Sequence, residues 1–148
     1  MNDYISVSGN ETYKTIDEAF DKVFSSKNPR PMHSYFEPLP LFAGTELEKH
    51  HIWFPKFVKT ESGNFIPATD TALNQISYDG KEIVEILPKE TICEIGDKKI
   101  TFAKFGNDEP YKFIGIFEVT EKRADNRISF NKKICDKCPA ISRQNKMH

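Results

Sequence analysis

Lys99-Ile-Thr-Phe-Ala-Lys-Phe-Gly-Asn-Asp-Glu-Pro-Tyr-Lys-Phe-Ile-Gly-Ile-Phe-Glu-Val119 is the stretch on which the fold turns. Two runs rich in Ile, Phe and Val flank a break of turn formers, Gly106-Asn-Asp-Glu-Pro110. Runs of β-branched and aromatic residues separated by such a break predict two consecutive β-strands. Ile114, Ile116 and Phe102 are expected inside. Gly115, in the middle of an apolar run, marks a place where another strand or a ligand comes close to the backbone.

The same pattern extends outward on both sides. Tyr111 to Glu121 and Arg127 to Ile134 flank Ala124-Asp125-Asn126 and predict a hairpin. Upstream, Ile76-Ser-Tyr and Ile83-Val-Glu-Ile-Leu87 flank Asp79-Gly80, a strong turn signal. Thr91 to Ile95 is expected to pair with the Lys99 strand across Gly96-Asp97. His51 to Val58 reads as a strand that Pro55 confines to an edge or a bulge. Tyr4 to Ser8 is a further short strand.

One helix is expected, over about 16–26. Thr15-Ile-Asp-Glu18 has the form of a capping box, and Ile16, Phe20, Val23 and Phe24 line one helical face. Asn28-Pro-Arg-Pro31 stops it. Residues 28–49 hold four prolines but also Tyr35, Phe36, Leu39, Leu41 and Phe42, so the segment is expected to pack on the domain. The sum is α+β, mostly β: a small barrel of about six or seven strands with an N-terminal helix. It forms a single domain over 1–138, with a loose basic tail over 139–148.

Composition limits the function classes. With 148 residues, 38% hydrophobic and 29% charged, the chain can bury a core and is neither disordered nor membrane-spanning in character. The N-terminus lacks a basic region followed by an apolar one, which predicts a cytoplasmic protein. Charge is unevenly spread. Residues 1–80 carry 7 Lys/Arg against 11 Asp/Glu, and residues 81–148 carry 14 against 11. Between Lys122 and Lys146 eight basic residues face only Asp125 and Asp136. Such an end can be a footprint for nucleic acid or simply a solvated hairpin and tail.

The order of an aromatic strand (His51-Ile-Trp-Phe-Pro55), Asn74-Gln-Ile-Ser-Tyr-Asp-Gly80, Ile100-Thr-Phe-Ala-Lys-Phe105 and Tyr111-Lys-Phe-Ile-Gly-Ile-Phe117 resembles the PUA-like superfamily, which includes SRA, EVE, ASCH and YTH-type domains. More narrowly it is similar to PUA-like modules attached to bacterial restriction endonucleases. The resemblance covers about residues 50–120. It implies a pseudo-barrel whose pocket reads a base, often a modified one, by stacking and by hydrogen bonds to its polar edge.

On that basis Trp53, Phe57 and Tyr78 are candidates for stacking, and Asn74, Ser77 and Asp79 for edge recognition. Lys104, Lys112, Arg123, Arg127, Lys132 and Lys133 are candidates for phosphate contacts. Each has an ordinary alternative. Trp53 can be core, with periodicity unable to choose its face, and Asp79-Gly80 can be plain turn chemistry. Cys135-Asp-Lys-Cys138 has the spacing of half a zinc site, which Cys93 and a histidine would have to complete. No cofactor is expected.

No nucleophile elbow, phosphate loop or zinc-protease motif occurs. The reading is a non-enzymatic recognition module for DNA or RNA, in a restriction or other defence setting. A protein-interaction or inhibitor module is the rival, with a protein partner in place of nucleic acid. An enzyme on the same scaffold is the third possibility, with Lys104 or Glu85 as the groups to inspect.

Overall fold

The computed structural model describes residues 4–59, 65–67, 75–87, 90, 93–106 and 108–141. The strands are β1 (Tyr4–Ser6), β2 (Thr12–Tyr13), β3 (Tyr35–Phe36), β4 (His51–Trp53), β5 (Phe57–Lys59), β6 (Phe65–Pro67), β7 (Gln75–Tyr78), β8 (Glu82–Ile86), β9 (Lys98–Lys104), β10 (Tyr111–Arg123), β11 (Ile128–Cys135) and β12 (Lys137–Pro139). A single α-helix, α1, spans Ile16–Phe24.

The expected cap is present. The Thr15 hydroxyl accepts the Glu18 N–H at 3.0 Å, while the Glu18 carboxylate reaches back to the Lys14 N–H at 3.1 Å. Ser25 ends the helix in the left-handed region, with φ of 51°.

The main sheet runs β3-β4-β9-β10-β11-β8-β7-β6-β5, and β2 pairs with the start of β10. Its closure follows from one register. β4 pairs with β9 in parallel, His51 opposite Lys99 and Trp53 opposite Thr101, and the same offset continues to a bridge between Lys56 and Lys104. The Lys104 N–H donates to the Pro55 carbonyl at 3.0 Å. Pro55 therefore divides the expected strand 51–58 in two. The chain keeps alongside β9 up to Lys56, then leaves as β5 to pair with β6. The sheet thus curls back on its own first strand and forms a barrel.

Alternation along the strands gives each face a distinct content. Ile52, Phe54, Ile100 and Phe102 point away from the barrel, where Phe20, Val23 and Phe24 of α1 cover them with Phe36, Leu39, Phe42 and Leu47 of the Pro-rich segment. The opposite face encloses Trp53, Phe57, Ile83, Ala103, Ile114 and Phe117. Fully or nearly buried polar residues sit on the strands of the sheet as well: Lys99, Thr101, Ser129 and Asn131. Of the residues expected inside, Ile114 faces the barrel while Phe102 and Ile116 belong to the helix-side core.

Two expectations are corrected. Of the strand expected over Thr91 to Ile95, residues 91 and 92 lie outside the described residues, Cys93–Ile95 is not a strand, and Gly96-Asp97 does not join a hairpin. The reason is that β9 already has β4 and β10 as neighbours. The segment instead runs beside β10, with the Gly96 N–H on the Val119 carbonyl at 2.8 Å. The tail also begins later than Pro139. β12 pairs with β1, and Ile141 is bonded to Val23 and Ser25, which fastens the chain to the end of α1. Residues 142–148 lie outside the described residues.

Gly115 has the role its position implied, and the close neighbour is a strand. Its φ is +129°, at a register shift between β9 and β10, and a Cβ there would lie 2.9 Å from the Cys135 carbonyl oxygen. Gly115→Ala is expected to destabilise the domain by about 1–3 kcal/mol, from backbone strain and the forced shift of β11. A urea midpoint unchanged from the parent would show that β11 yields freely there.

Candidate nucleic-acid interface

β3, β4, β8 and β9 wall a cavity of about 240 Å³. Tyr35 stands opposite Trp53 in the β3–β4 register, so the two rings project side by side from the same face. Glu85 comes from β8 and Lys99 from β9, and Cys93 closes the side.

Lys99 is only 2% exposed. Its ammonium lies 4.5 Å from the Trp53 ring centre and 5.4 Å from that of Tyr35, so the positive charge rests on two aromatic faces. Burial holds the Lys99 amine below its usual range and the Glu85 carboxyl above its own, each partly offset by the other's charge. The Tyr35 hydroxyl is buried without a hydrogen-bond partner among the described residues. Burial also pushes its pKa strongly upward, so it remains a donor. Behind Tyr35 the His51 ring stacks on it, 5.3 Å between centres and 5° from parallel. The Glu37 and Asp97 carboxylates each lie 3.7 Å from one of the His51 nitrogens.

The wall between β8 and β9 is fastened to the β10–β11 hairpin. Lys122 Nζ donates to the Cys93 carbonyl at 2.7 Å, Asn126 to Glu90 at 3.0 Å, and the Leu87 N–H to the Arg127 carbonyl at 2.9 Å. The hairpin tip makes this possible by placing Ala124, Asp125 and Asn126 in succession in the left-handed region.

Of the described residues singled out for base reading, Trp53 alone lines this cavity. Phe57 is fully buried, with its ring stacked on Phe105 and tilted against Tyr78. Tyr78 packs edge-on against Phe117. Ser77 and Asp79 are exposed, and Asn74 lies outside the described residues. Asp79 holds the β7–β8 turn, its carboxylate accepting the N–H groups of Lys81 and Glu82 at 2.8 and 2.7 Å. Those bonds keep its carboxyl below the usual range, so its contribution is present at neutral pH and is lost on acidification through that lowered value. Asp79→Ala is expected to cost about 1 kcal/mol in a urea titration while Asp79→Asn, which keeps the accepting oxygen, costs less. Equal losses for the two variants would contradict the turn role.

The basic candidates fall into separate groups. Arg123 and Arg127 flank the hairpin tip. Arg123 is paired with Glu121 and lies 4.8 Å over the Phe130 ring, and Arg127 Nε donates to the Ala124 carbonyl. Lys132 is exposed on β11, and Lys133 lies 3.5 Å from Asp136. Lys104 and Lys112 sit at the other end of β9 and β10, Lys104 over the Tyr111 ring at 5.3 Å.

The cysteines are dispersed. Cys93 is in the cavity wall, Cys135 is exposed, and Cys138 is buried in the helix-side core, where burial pushes its thiol well up. Among the described residues no group of three or more His, Cys, Asp or Glu is placed to hold a metal ion. Also among these residues, no helix is long and apolar enough to cross a membrane.

Sequence reasoning missed Tyr35 and Lys99, and weighed Glu85 only as a catalytic group. The available signal was the alternation in Lys99-Ile-Thr-Phe-Ala103, which sets Lys99 on the face of Thr101 and Ala103 in a strand buried on both sides.

A curled, mostly antiparallel sheet closed on itself, with one helix outside and an aromatic-lined cavity within, is a PUA-like pseudo-barrel. The chain belongs to the SRA (SET and RING associated) domain family, whose model matches residues 1–140. Among solved structures it is similar to the 5-hydroxymethylcytosine-specific restriction enzyme AbaSI, with a TM-score of 0.64 and 19% identity over 94% of this chain. The chain spans 43% of that enzyme's length. No curated protein matches it.

Proposed function

We propose that the chain recognises a modified base in DNA, drawn out of the helical stack into the cavity of Tyr35, Trp53, Glu85 and Lys99, within a restriction system. The observation that carries this is the cavity: the aromatic faces of Tyr35 and Trp53 beside a Tyr35 hydroxyl with no hydrogen-bond partner among the described residues and the charged ends of Glu85 and Lys99. A flat apolar surface would have favoured a protein-interaction module; a small concave pocket with aromatic and polar walls favours a base. Extrusion costs a few kcal/mol, and stacking on an aromatic ring returns about 1–3 kcal/mol per base. Lys and Arg near the hairpin tip add the contacts to phosphate that position the duplex.

Membership of the SRA family and the shared fold with an enzyme specific for 5-hydroxymethylcytosine support the reading and put modified cytosines first among ligands to try. The proposal concerns recognition only; cleavage by the larger enzyme is not carried over.

Trp53 is the sole tryptophan, so its emission reports on the cavity directly. Titration with duplexes carrying one modified cytosine is expected to change that emission, with affinity falling as salt rises. The same emission and affinity for modified and unmodified duplexes would remove the proposal.

A further inference from the structure

We infer that His51 is a positioning residue of the base cavity: held between Glu37 and Asp97, it fixes the Tyr35 ring from behind, and it does so best when both of its nitrogens carry a proton. The inference rests on the base-pocket reading above and adds how the cavity is kept in shape and what that makes of its pH dependence.

Tyr35 needs such support. It stands on β3, a two-residue strand at the edge of the sheet with β4 as its neighbour. Its hydroxyl has no hydrogen-bond partner among the described residues, so no bond at that end sets the plane of the ring. The His51 ring sets it instead, lying 5° from parallel with centres 5.3 Å apart. His51 is not part of the cavity lining, so it acts through Tyr35.

His51 is itself held by an anchored group. Its Nε2 faces the Asp97 carboxylate at 3.7 Å. That carboxylate accepts the Glu94 N–H at 2.9 Å, and the Asp97 carbonyl accepts the Val119 N–H at 2.9 Å. Nδ1 faces Glu37 at 3.7 Å, but Glu37 is largely exposed and screened by solvent, so Asp97 is the firmer partner. A neutral imidazole has one N–H and one lone pair. Whichever nitrogen keeps the lone pair turns it toward a carboxylate. The imidazolium presents an N–H to both and lays its charge on the Tyr35 face. Two groups oppose that charge: Lys99, opposite His51 in the β4–β9 register, and His50, next in the chain. Lys99 and Glu85 have titrations of their own, which the parent and a His51 variant share, so the difference between two pH profiles reports His51.

The test measures affinity of the full chain for duplexes carrying one 5-methylcytosine or one 5-hydroxymethylcytosine, at fixed ionic strength, from about pH 5.5 to 8, where imidazoles change charge. The parent is expected to bind about three- to tenfold more tightly at the acid end. His51→Phe keeps a stacking ring that never charges, and is expected to lose that rise. His51→Ala removes the ring as well and is expected to bind about three- to tenfold more weakly than His51→Phe at every pH. Asp97→Asn keeps an oxygen for the Glu94 N–H but not the charge, and is expected to move the rise to lower pH.

The same pH profile in the parent and His51→Phe overturns the inference even where affinity falls, because a merely structural residue weakens binding without moving its pH dependence. So does an Asp97→Asn profile that coincides with the parent's, a result that decides alone if His51→Phe does not fold. Both outcomes leave the base-pocket reading standing. A parent that binds neither modified duplex more tightly than the unmodified one at any pH overturns that reading, and this inference with it.

Discussion

Phe102→Ala is expected to cost the domain about 3–5 kcal/mol, read as a lowered urea midpoint at unchanged slope. Phe102 is fully buried on the helix-facing side of β9. Its ring is stacked on Phe54 with centres 5.1 Å apart, and lies 5.7 Å from Tyr13, 5.7 Å from Phe113 and 6.3 Å from Phe24. Those four come from the segment after β4, from β2, β10 and α1. One ring therefore joins the helix, the N-terminal strand and the barrel wall. Truncation removes the transfer free energy of the ring and leaves a void, because rigid strands behind it cannot collapse into the space. Set against a total stability of about 5–15 kcal/mol for a domain, the loss is a large fraction of the whole, and it unfolds an appreciable share of molecules where the parent lies near the low end of that range. Phe102→Leu, which keeps more of the volume, should lose less. A cost below about 1 kcal/mol for the alanine variant would mean that the core repacks around this position.

Trp53→Ala is expected to lower affinity for a modified-base duplex by roughly 10- to 100-fold, the equivalent of about 1–3 kcal/mol of lost stacking. The effect has two sources. The base loses an aromatic face, and the Lys99 ammonium loses the nearer of the two rings on which it rests. Trp53 is 4% exposed, so the alanine variant will also be less stable, and Trp53→Phe serves as the control that keeps a ring face and most of the packing. The ordering expected is parent, then phenylalanine, then alanine, all measured well below the melting temperature. The salt dependence separates this role from phosphate binding. Its slope counts neutralised phosphates, so it should not change on substitution of Trp53. Arg127→Ala, by contrast, should reduce the slope by about one if Arg127 meets a phosphate. Unaltered affinity in Trp53→Ala would exclude this ring from the binding face.

Local chemistry was legible in the sequence and long-range assembly was not. The cap at Thr15 and Glu18, the Asp79-Gly80 turn and the hairpin around Ala124-Asp125-Asn126 are all fixed by neighbouring residues, so a linear reading finds them. Alternation paired Trp53 with His51 on one face and Phe54 with Ile52 on the other, as the structure has them. It could not choose which face was the cavity, because both carry apolar groups. Tyr35 was visible only as a packing residue: a two-residue strand between prolines has no period to read. Lys99 was hidden for a different reason. A lysine in a strand is ordinarily taken as solvated, and its burial depends on a parallel pairing with β4 that no local signal encodes. The Cys93–Ile95 segment misled because Cys93 is buried in the cavity wall and Ile95 stands exposed, and neither joins the ladder.

The parallel contact of β4 with β9 also bears on how the molecule acquires its binding capacity. It brings together positions separated by about 50 residues of intervening chain, a loop whose closure entropy must be met before any contact there repays it. Hairpins such as β10–β11 and β7–β8 can form early and locally. The aromatic corner of Tyr35, Trp53 and Lys99 exists only after that closure. Recognition thus depends on a non-local closure, so a molecule that binds has already passed its own test of completeness.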